Sequence, residues 1–288
     1  MSVENELGGP EGEIESAKKR KKRGGGFSTE GRSGKPWNRE EARVFQSVFG
    51  KNTLLALYKL INDGHFSELH GEFNSGKEAS IFSGIDRYGK FVAVKIYRIE
   101  ASDFSNMLPY LKGDKRFENI GNSKKEIVFA WNKKEFSNLR KMEEEGVRVP
   151  HPIAFLENVL VFELVTDEES GGISPQLKKA YQEISDPAGF SEQIVLEMEK
   201  MHRAGFVHSD LSEYNILVSG GRPVIIDCGQ AVLLTHPNAQ EFLERDCENV
   251  SKFLSRKLGY GISKEELLKR VLSSRKSEGE AREERKNG

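Results

Sequence analysis

The chain has 288 residues, 31% of them charged, with a formal net charge of -1 at pH 7. That length is ample for one large domain or two small lobes, and the near-neutral balance gives no overall bias toward nucleic acid. Cys228 and Cys247 lack metal-ligand spacing, and with no secretory signal ahead of them the expected setting is a reducing cytoplasm. The longest apolar runs, such as residues 159–165, fall far short of the ~20 residues that cross a bilayer, so no membrane partner is expected.

Residues 1–36 read as a disordered Gly-rich tail with a basic block, Lys18 to Arg23, too poor in apolar residues to offset the entropy of ordering. Order is expected from Asn38, with Glu41 three residues after that N-cap, and a helix follows at Thr53–Ile61 with Leu54, Leu57, Tyr58 and Ile61 on one face. Strands are expected at Ser80–Gly84 and Phe91–Tyr97, where Val92, Val94 and Ile96 alternate with Ala93, Lys95 and Tyr97. A polar insert, 102–125, precedes a helix at Glu126–Met142, and Gly146 suits its C-terminal cap. Apolar runs at 153–156 and 159–165 flank Glu157-Asn158 as a hairpin. Beyond them come a helix at Pro187–Ala204, short strands at 206–207, 216–218 and 224–226, and a closing amphipathic helix from Asn238 to Leu258. Strands first and helices later predict a two-lobed α+β protein. Helices plus an N-lobe would occupy 37–162 and a C-lobe 163–272, leaving a charged flexible tail at 273–288.

Three segments carry chemistry. In His208-Ser209-Asp210-Leu211-Ser212-Glu213-Tyr214-Asn215 a carboxylate and an amide stand five residues apart, and a later apolar strand ends in Asp227. Each residue alone reads as a turn former or strand-end cap. The ordered set instead matches what phosphoryl transfer from ATP requires: Asp210 facing the attacking hydroxyl or water, and Asn215 and Asp227 as metal ligands. Lys95 sits on a strand, and Glu135 interrupts the helical stripe Val128, Trp131, Leu139, Met142. An unpaired carboxylate there would be costly, which makes Lys95 its expected partner. Asn74 to Ser80 carries Gly71, Gly76 and Lys77 at Walker A spacing, but Glu78 stands where that motif needs Ser or Thr, and a strand follows instead of a helix. A short turn approaching phosphates is the better account.

These segments resemble the RIO atypical protein kinases, most closely their type-one subfamily. S-G-K-E-A at 75–79 is similar to the phosphate loop, A-V-K-I-Y at 93–97 to the lysine strand, and W-N-K-K-E-F at 131–136 to the glutamate helix. H-S-D-L-S-E-Y-N-I-L at 208–217 resembles the catalytic loop, and I-I-D at 225–227 with Gln230 the metal motif. The resemblance implies a kinase-like fold reduced to a small β-rich N-lobe and a mostly helical C-lobe, without activation segment or peptide-binding helices. It implies ATP with Mg²⁺ (or Mn²⁺), nucleotide contacts from Lys95, Ser75 and Lys77, and adenine contacts from Glu163 C=O and Val165 N–H. It further implies serine/threonine kinase or ATPase activity on small-subunit ribosomal precursor particles, and a phospho-aspartate on Asp227. Self-phosphorylation in the insert would fall on Ser102, Ser105 or Ser123. The alternatives are a nucleotide-switched assembly factor with little kinase activity and a small-molecule kinase, the latter disfavoured by the short region after Asp227.

Overall fold

The computed structural model describes residues 49–100, 104–167 and 171–274. The expectations for residues 1–36, for the cap at 38–41 and for the tail beyond 274 lie outside them.

The N-lobe is a five-stranded antiparallel sheet in the order β1-β2-β3-β5-β4, built from β1 (Glu68–Ser75), β2 (Ala79–Ile85), β3 (Phe91–Tyr97), β4 (Pro152–Leu156) and β5 (Val159–Glu163). β3 is central, and every residue of it from Val92 to Tyr97 is buried, so both faces of the alternation are covered. Helix α1 (Lys51–Asn62) packs on β4 and β5, burying Thr53, Ala56, Leu57 and Leu60. That stripe is turned by about one residue from the expected one, and Tyr58 is exposed. The cause is the hairpin: buried Asn158 exchanges hydrogen bonds with Thr53 and donates to Tyr97 C=O at 2.7 Å.

The insert is not a featureless polar loop. It forms α2 (Phe104–Lys112) and a 3-10 turn at Lys115–Phe117, burying Met107, Leu111 and Phe117 against Ile127, Val128 and Trp131. Three apolar side chains spread over eleven positions suffice to dock it, although the segment as a whole reads as polar. The following helix, α3 (Lys124–Glu144), starts two residues before the expected position because Ser123 caps it in a reciprocal box with Glu126. It stops at Gly146, whose φ of 78° a side chain would resist. Asn132 anchors it to the β4–β5 turn, donating to Glu157 C=O and Val159 C=O at 2.9 Å each.

The C-lobe comprises α4 (Leu177–Ala180), α5 (Pro187–Arg203), the pairs β6 (Phe206–Val207) with β9 (Val232–Leu233) and β7 (Ile216–Ser219) with β8 (Arg222–Ile225), then α6 (Ala239–Lys257) and α7 (Lys264–Ser273). Phe190, Ile194, Phe242, Val250 and Leu254 are among the side chains of its core. β1 and α7 go beyond the expected elements. A Ser263–Glu266 capping box starts α7, and Leu267 and Val271 are buried. Ser274 is also buried, so the chain stays docked for the first two residues of the segment expected as a flexible tail. Only residues 228–238 separate Asp227 from α6, which leaves no room for an activation segment. Among the described residues no helix is long and apolar enough to cross a membrane.

Candidate active site

The loop from His208 to Asn215 joins β6 to β7 at the mouth of the cleft between the lobes. Two-residue β6 cannot fix such a loop by itself, and α6 supplies the rest. Buried Asp246 accepts from Ser209 N–H at 2.8 Å and from Leu211 N–H at 2.9 Å, while Arg245 donates to Ser209 C=O. These bonds hold Ser209 at φ 71° and clamp the backbone on both sides of Asp210. Burial pushes the Asp246 carboxyl up to about 6, against the pull of His208 and the two backbone N–H groups. His208 itself is buried, with Nε2 3.0 Å from Ile226 C=O, and so links the His208–Asn215 loop to the segment bearing Asp227.

Within the loop Asn215 Nδ2 donates to Asp210 C=O at 2.8 Å and to Asp210 Oδ2 at 3.3 Å, and Gln230 Nε2 reaches the same oxygen at 3.4 Å. With the amide nitrogen turned toward Asp210, the Asn215 amide oxygen is the atom left for a cation. Burial raises the Asp210 pKa above the usual aspartate value. Asp227 adds to that rise, and His208, Arg245 and Asn215 oppose it.

Opposite stands Lys95, buried on β3. Its Nζ donates to both carboxylate oxygens of Glu135 at 2.9 Å and to Asp227 Oδ1 at 2.8 Å. Tyr97 O–H also donates to Glu135. The expected lysine–glutamate pair therefore forms, and Asp227 joins it to the far lobe. Burial alone would lower the Lys95 pKa, but Asp227 and Glu135 outweigh it and leave the ammonium firmly charged. Lys95 in turn holds the Asp227 carboxyl below the usual range. Asp227 adopts φ 59°, and its side chain is 54% exposed, which opens it to the cleft.

The cleft has a volume of about 750 Å³ and is lined by Lys95, Glu135, Asn215 and Asp227, together with Lys77, Glu163 and Val165. Val165 C=O accepts from Ser174 N–H at 3.0 Å, while Val165 N–H makes no backbone hydrogen bond among the described residues. Ser75 does not line the cleft. Its hydroxyl accepts from Arg98 at 2.9 Å, beside Ser80 at 2.8 Å. Asp210 lies outside the lining too, reached through Asn215 and Gln230. Sequence reasoning missed Asp246, Arg98 and Tyr97. It also missed Ser174, whose buried hydroxyl has no hydrogen-bond partner among the described residues and whose side lines the cleft. Nothing in their spacing marks them; Asp246, Arg98 and Tyr97 acquire their places through partners distant in the chain.

Among the described residues no group of three or more His, Cys, Asp or Glu could hold a metal ion alone. One carboxylate and one amide oxygen, opening on a cleft with a lysine for phosphate, instead suit Mg²⁺, which takes few protein ligands and completes its shell with phosphates and water.

Comparison with known proteins shows the family of the chain. A family model described as RIO domain matches residues 80–267. The RIO-type serine/threonine-protein kinase Rio1 of Haloferax volcanii is 48% identical over 218 residues, which covers 75% of this chain and 73% of that protein. Its namesake in Methanocaldococcus jannaschii is 41% identical over 220 residues, covering 76% and 73%. Among solved structures, the Rio2 kinase–ADP/Mg²⁺–phosphoaspartate complex from Chaetomium thermophilum shares the fold at a TM-score of 0.59 and 22% identity, covering 80% of this chain and 72% of that one. The two-lobed fold, the lysine bridged across the cleft and this degree of likeness to the archaeal proteins lead to one assignment: the chain belongs to the RIO family of serine/threonine protein kinases, on its type-one branch.

Proposed function

We propose that this kinase uses ATP with Mg²⁺ (or Mn²⁺) in small ribosomal subunit maturation, with nucleotide turnover acting as a switch at least as much as a route to phosphoprotein. The observation that carries the reading is the single ammonium of Lys95 joining Glu135 of the N-lobe to Asp227 of the C-lobe. Its three hydrogen bonds span the seam that an ATP molecule would occupy.

In this reading Glu163 C=O and Val165 N–H receive the adenine, and Lys95 and Lys77 bind phosphate oxygens, with Ser75 set by Arg98 at the end of that turn. Asn215 and Asp227 would hold Mg²⁺, which when bound neutralises charge on the phosphates. Asp210 takes the proton of the attacking hydroxyl or water. Where the acceptor is Asp227 itself, its carboxylate oxygen forms the bond to the γ-phosphorus as the bond to the ADP oxygen breaks. The phosphoaspartate of the Rio2 complex supports that third route. The short 228–238 link supports the switch over peptide phosphorylation, because it leaves no platform for a peptide.

The decisive measurement follows radiolabelled γ-phosphate from ATP with and without small-subunit precursor particles. Particles should raise turnover several-fold while free peptides receive little label. Turnover indifferent to particles, with efficient peptide labelling, would reverse the emphasis, and a chain that binds no adenine nucleotide would sink the reading.

A pH profile tests Asp210 separately. The base must be ionised, so turnover falls as pH drops through its folded pKa, which burial has raised. Asp227, held low by Lys95, stays ionised over the same range. The acid limb of kcat should therefore lie above the ordinary aspartate value of about 3.9. A rate unchanged from pH 7 down to about 4 would remove Asp210 from the role of base.

A further inference from the structure

Lys134 is a fully buried lysine in the middle of α3, one residue before Glu135, and among the described residues no carboxylate lies in ion-pair contact with it. Its Nζ donates instead to two backbone carbonyls, Gly229 C=O at 2.8 Å and Ala231 C=O. One turn further along the helix, Asn138 Nδ2 donates to Cys228 C=O and Ala231 C=O at 2.9 Å each. Two side chains of one helix thus satisfy three carbonyls of the segment that follows Asp227. Arg116, from the insert, orients Asn138 by donating to its Oδ1 at 2.8 Å, and is itself gripped by buried Asp114. Trp131 closes the arrangement: a Cβ at Gly229 would meet its ring nitrogen at 3.0 Å, so the backbone path is fixed by contact as well as by hydrogen bonds. Burying a lysine with no ion-pair contact is expensive: burial pulls its pKa down to about 7 even with Asp114 acting in the other direction, and a simple loop needs no such device.

We propose that Lys134, with Asn138, is a positioning residue that sets the conformation of residues 228–231 and thereby aims Asp227 and Gln230 into the cleft. The proposal rests on the reading of Asp227 as the metal-binding carboxylate. Helix α3 then organises both sides of the site. Glu135 places the phosphate-binding lysine, while Lys134 and Asn138 place the metal-binding loop, so one rigid element sets the distance between them. Asp227 at φ 59° is a position where such external support is required, since the left-handed region is unfavourable for a residue with a Cβ.

The test measures two quantities on the full chain: ADP affinity without Mg²⁺, and the Mg²⁺ concentration that gives half-maximal ATP turnover. Lys134→Met keeps the length and removes the donors. It should raise the Mg²⁺ requirement about tenfold, equal to roughly 1.4 kcal/mol, while leaving metal-free ADP affinity within about twofold. Because Lys134→Met alters a buried site, Arg116→Met provides a second reading from a partly exposed residue outside the nucleotide cleft. It should raise the Mg²⁺ requirement about threefold through the loosened Asn138. An unchanged Mg²⁺ requirement in Arg116→Met, or in a folded Lys134→Met, overturns the proposal, as does a parallel loss of ADP affinity and turnover at every Mg²⁺ concentration. A wild-type chain that turns over no ATP overturns the phosphotransferase reading itself, an outcome distinct from the other two.

Discussion

Replacing Asp227 with alanine should reduce ATP turnover by about a thousandfold or more, while the protein remains folded and still binds adenine nucleotide without metal. The carboxylate is half exposed at the cleft and contributes no apolar packing, and Lys95 keeps Glu135 as its second partner, so the fold survives its loss. On the proposed function, what disappears is one of two oxygen ligands for the metal and the phosphoryl acceptor of the aspartate route, together with the anion facing Lys95 at 2.8 Å. Asp227→Asn separates these losses. An amide oxygen can still ligate Mg²⁺ weakly, whereas it cannot neutralise the lysine or carry a phosphoryl group, so asparagine should recover metal binding ahead of turnover. The check is single-turnover ATP cleavage across a Mg²⁺ titration for wild type, alanine and asparagine. Turnover within about tenfold of wild type in Asp227→Ala would mean that another group holds the metal.

The candidate site residues that the fold brings together are legible in the sequence because the spacing of each motif is local: five residues from Asp210 to Asn215 on one loop, and a strand running into Asp227. Lys95 and Glu135 are separated by forty positions, yet the apolar stripe of α3 exposes the anomaly of a carboxylate on a buried face, and a partner follows from its cost. Asp246, Lys134 and Arg116 carry no such signal. A lysine or aspartate on an amphipathic helix reads as solvent-facing until the backbone groups it serves are brought to it by tertiary folding. The insert misleads for a related reason: Met107, Leu111 and Phe117 form a docking face only when the face of α3 near Trp131 is there to receive them. Helix α7 differs, since its Ser263–Glu266 capping box is a local signal that the hydrophobic pattern alone passes over.

Lys95→Met and Glu135→Gln should differ sharply, although they break the same ion pair. Lys95 has two carboxylates, so Glu135→Gln leaves its charge matched by Asp227 and retains an oxygen that can accept from it. A loss of about 1–2 kcal/mol is expected. Lys95→Met instead strands Glu135, which is 2% exposed and whose carboxyl burial already pushes up. Removing one partner of a buried pair costs about 3–5 kcal/mol, and the sign of the pH response follows. Without the ammonium, Glu135 has a folded pKa raised above its unfolded value, so the penalty is fully present where the unfolded carboxylate is ionised and the folded one is forced to ionise or take up a proton. It shrinks as pH falls toward the unfolded value of about 4.3. The Tm deficit of Lys95→Met against wild type should thus narrow between pH 8 and pH 5.5, whereas that of Glu135→Gln should widen, because the wild-type Glu135 carboxyl, already raised to about 7, takes up its proton over that range and glutamine cannot. The double variant should be more stable than the sum of the two losses predicts, since the stranded carboxylate is gone. Turnover should fall about a hundredfold or more in Lys95→Met and roughly tenfold in Glu135→Gln, because on the proposed function phosphate binding needs the ammonium itself and only secondarily its anchor. Equal stability losses for the two single variants at pH 8 would mean that Asp227 already satisfies Lys95, with Glu135 held by Tyr97 alone.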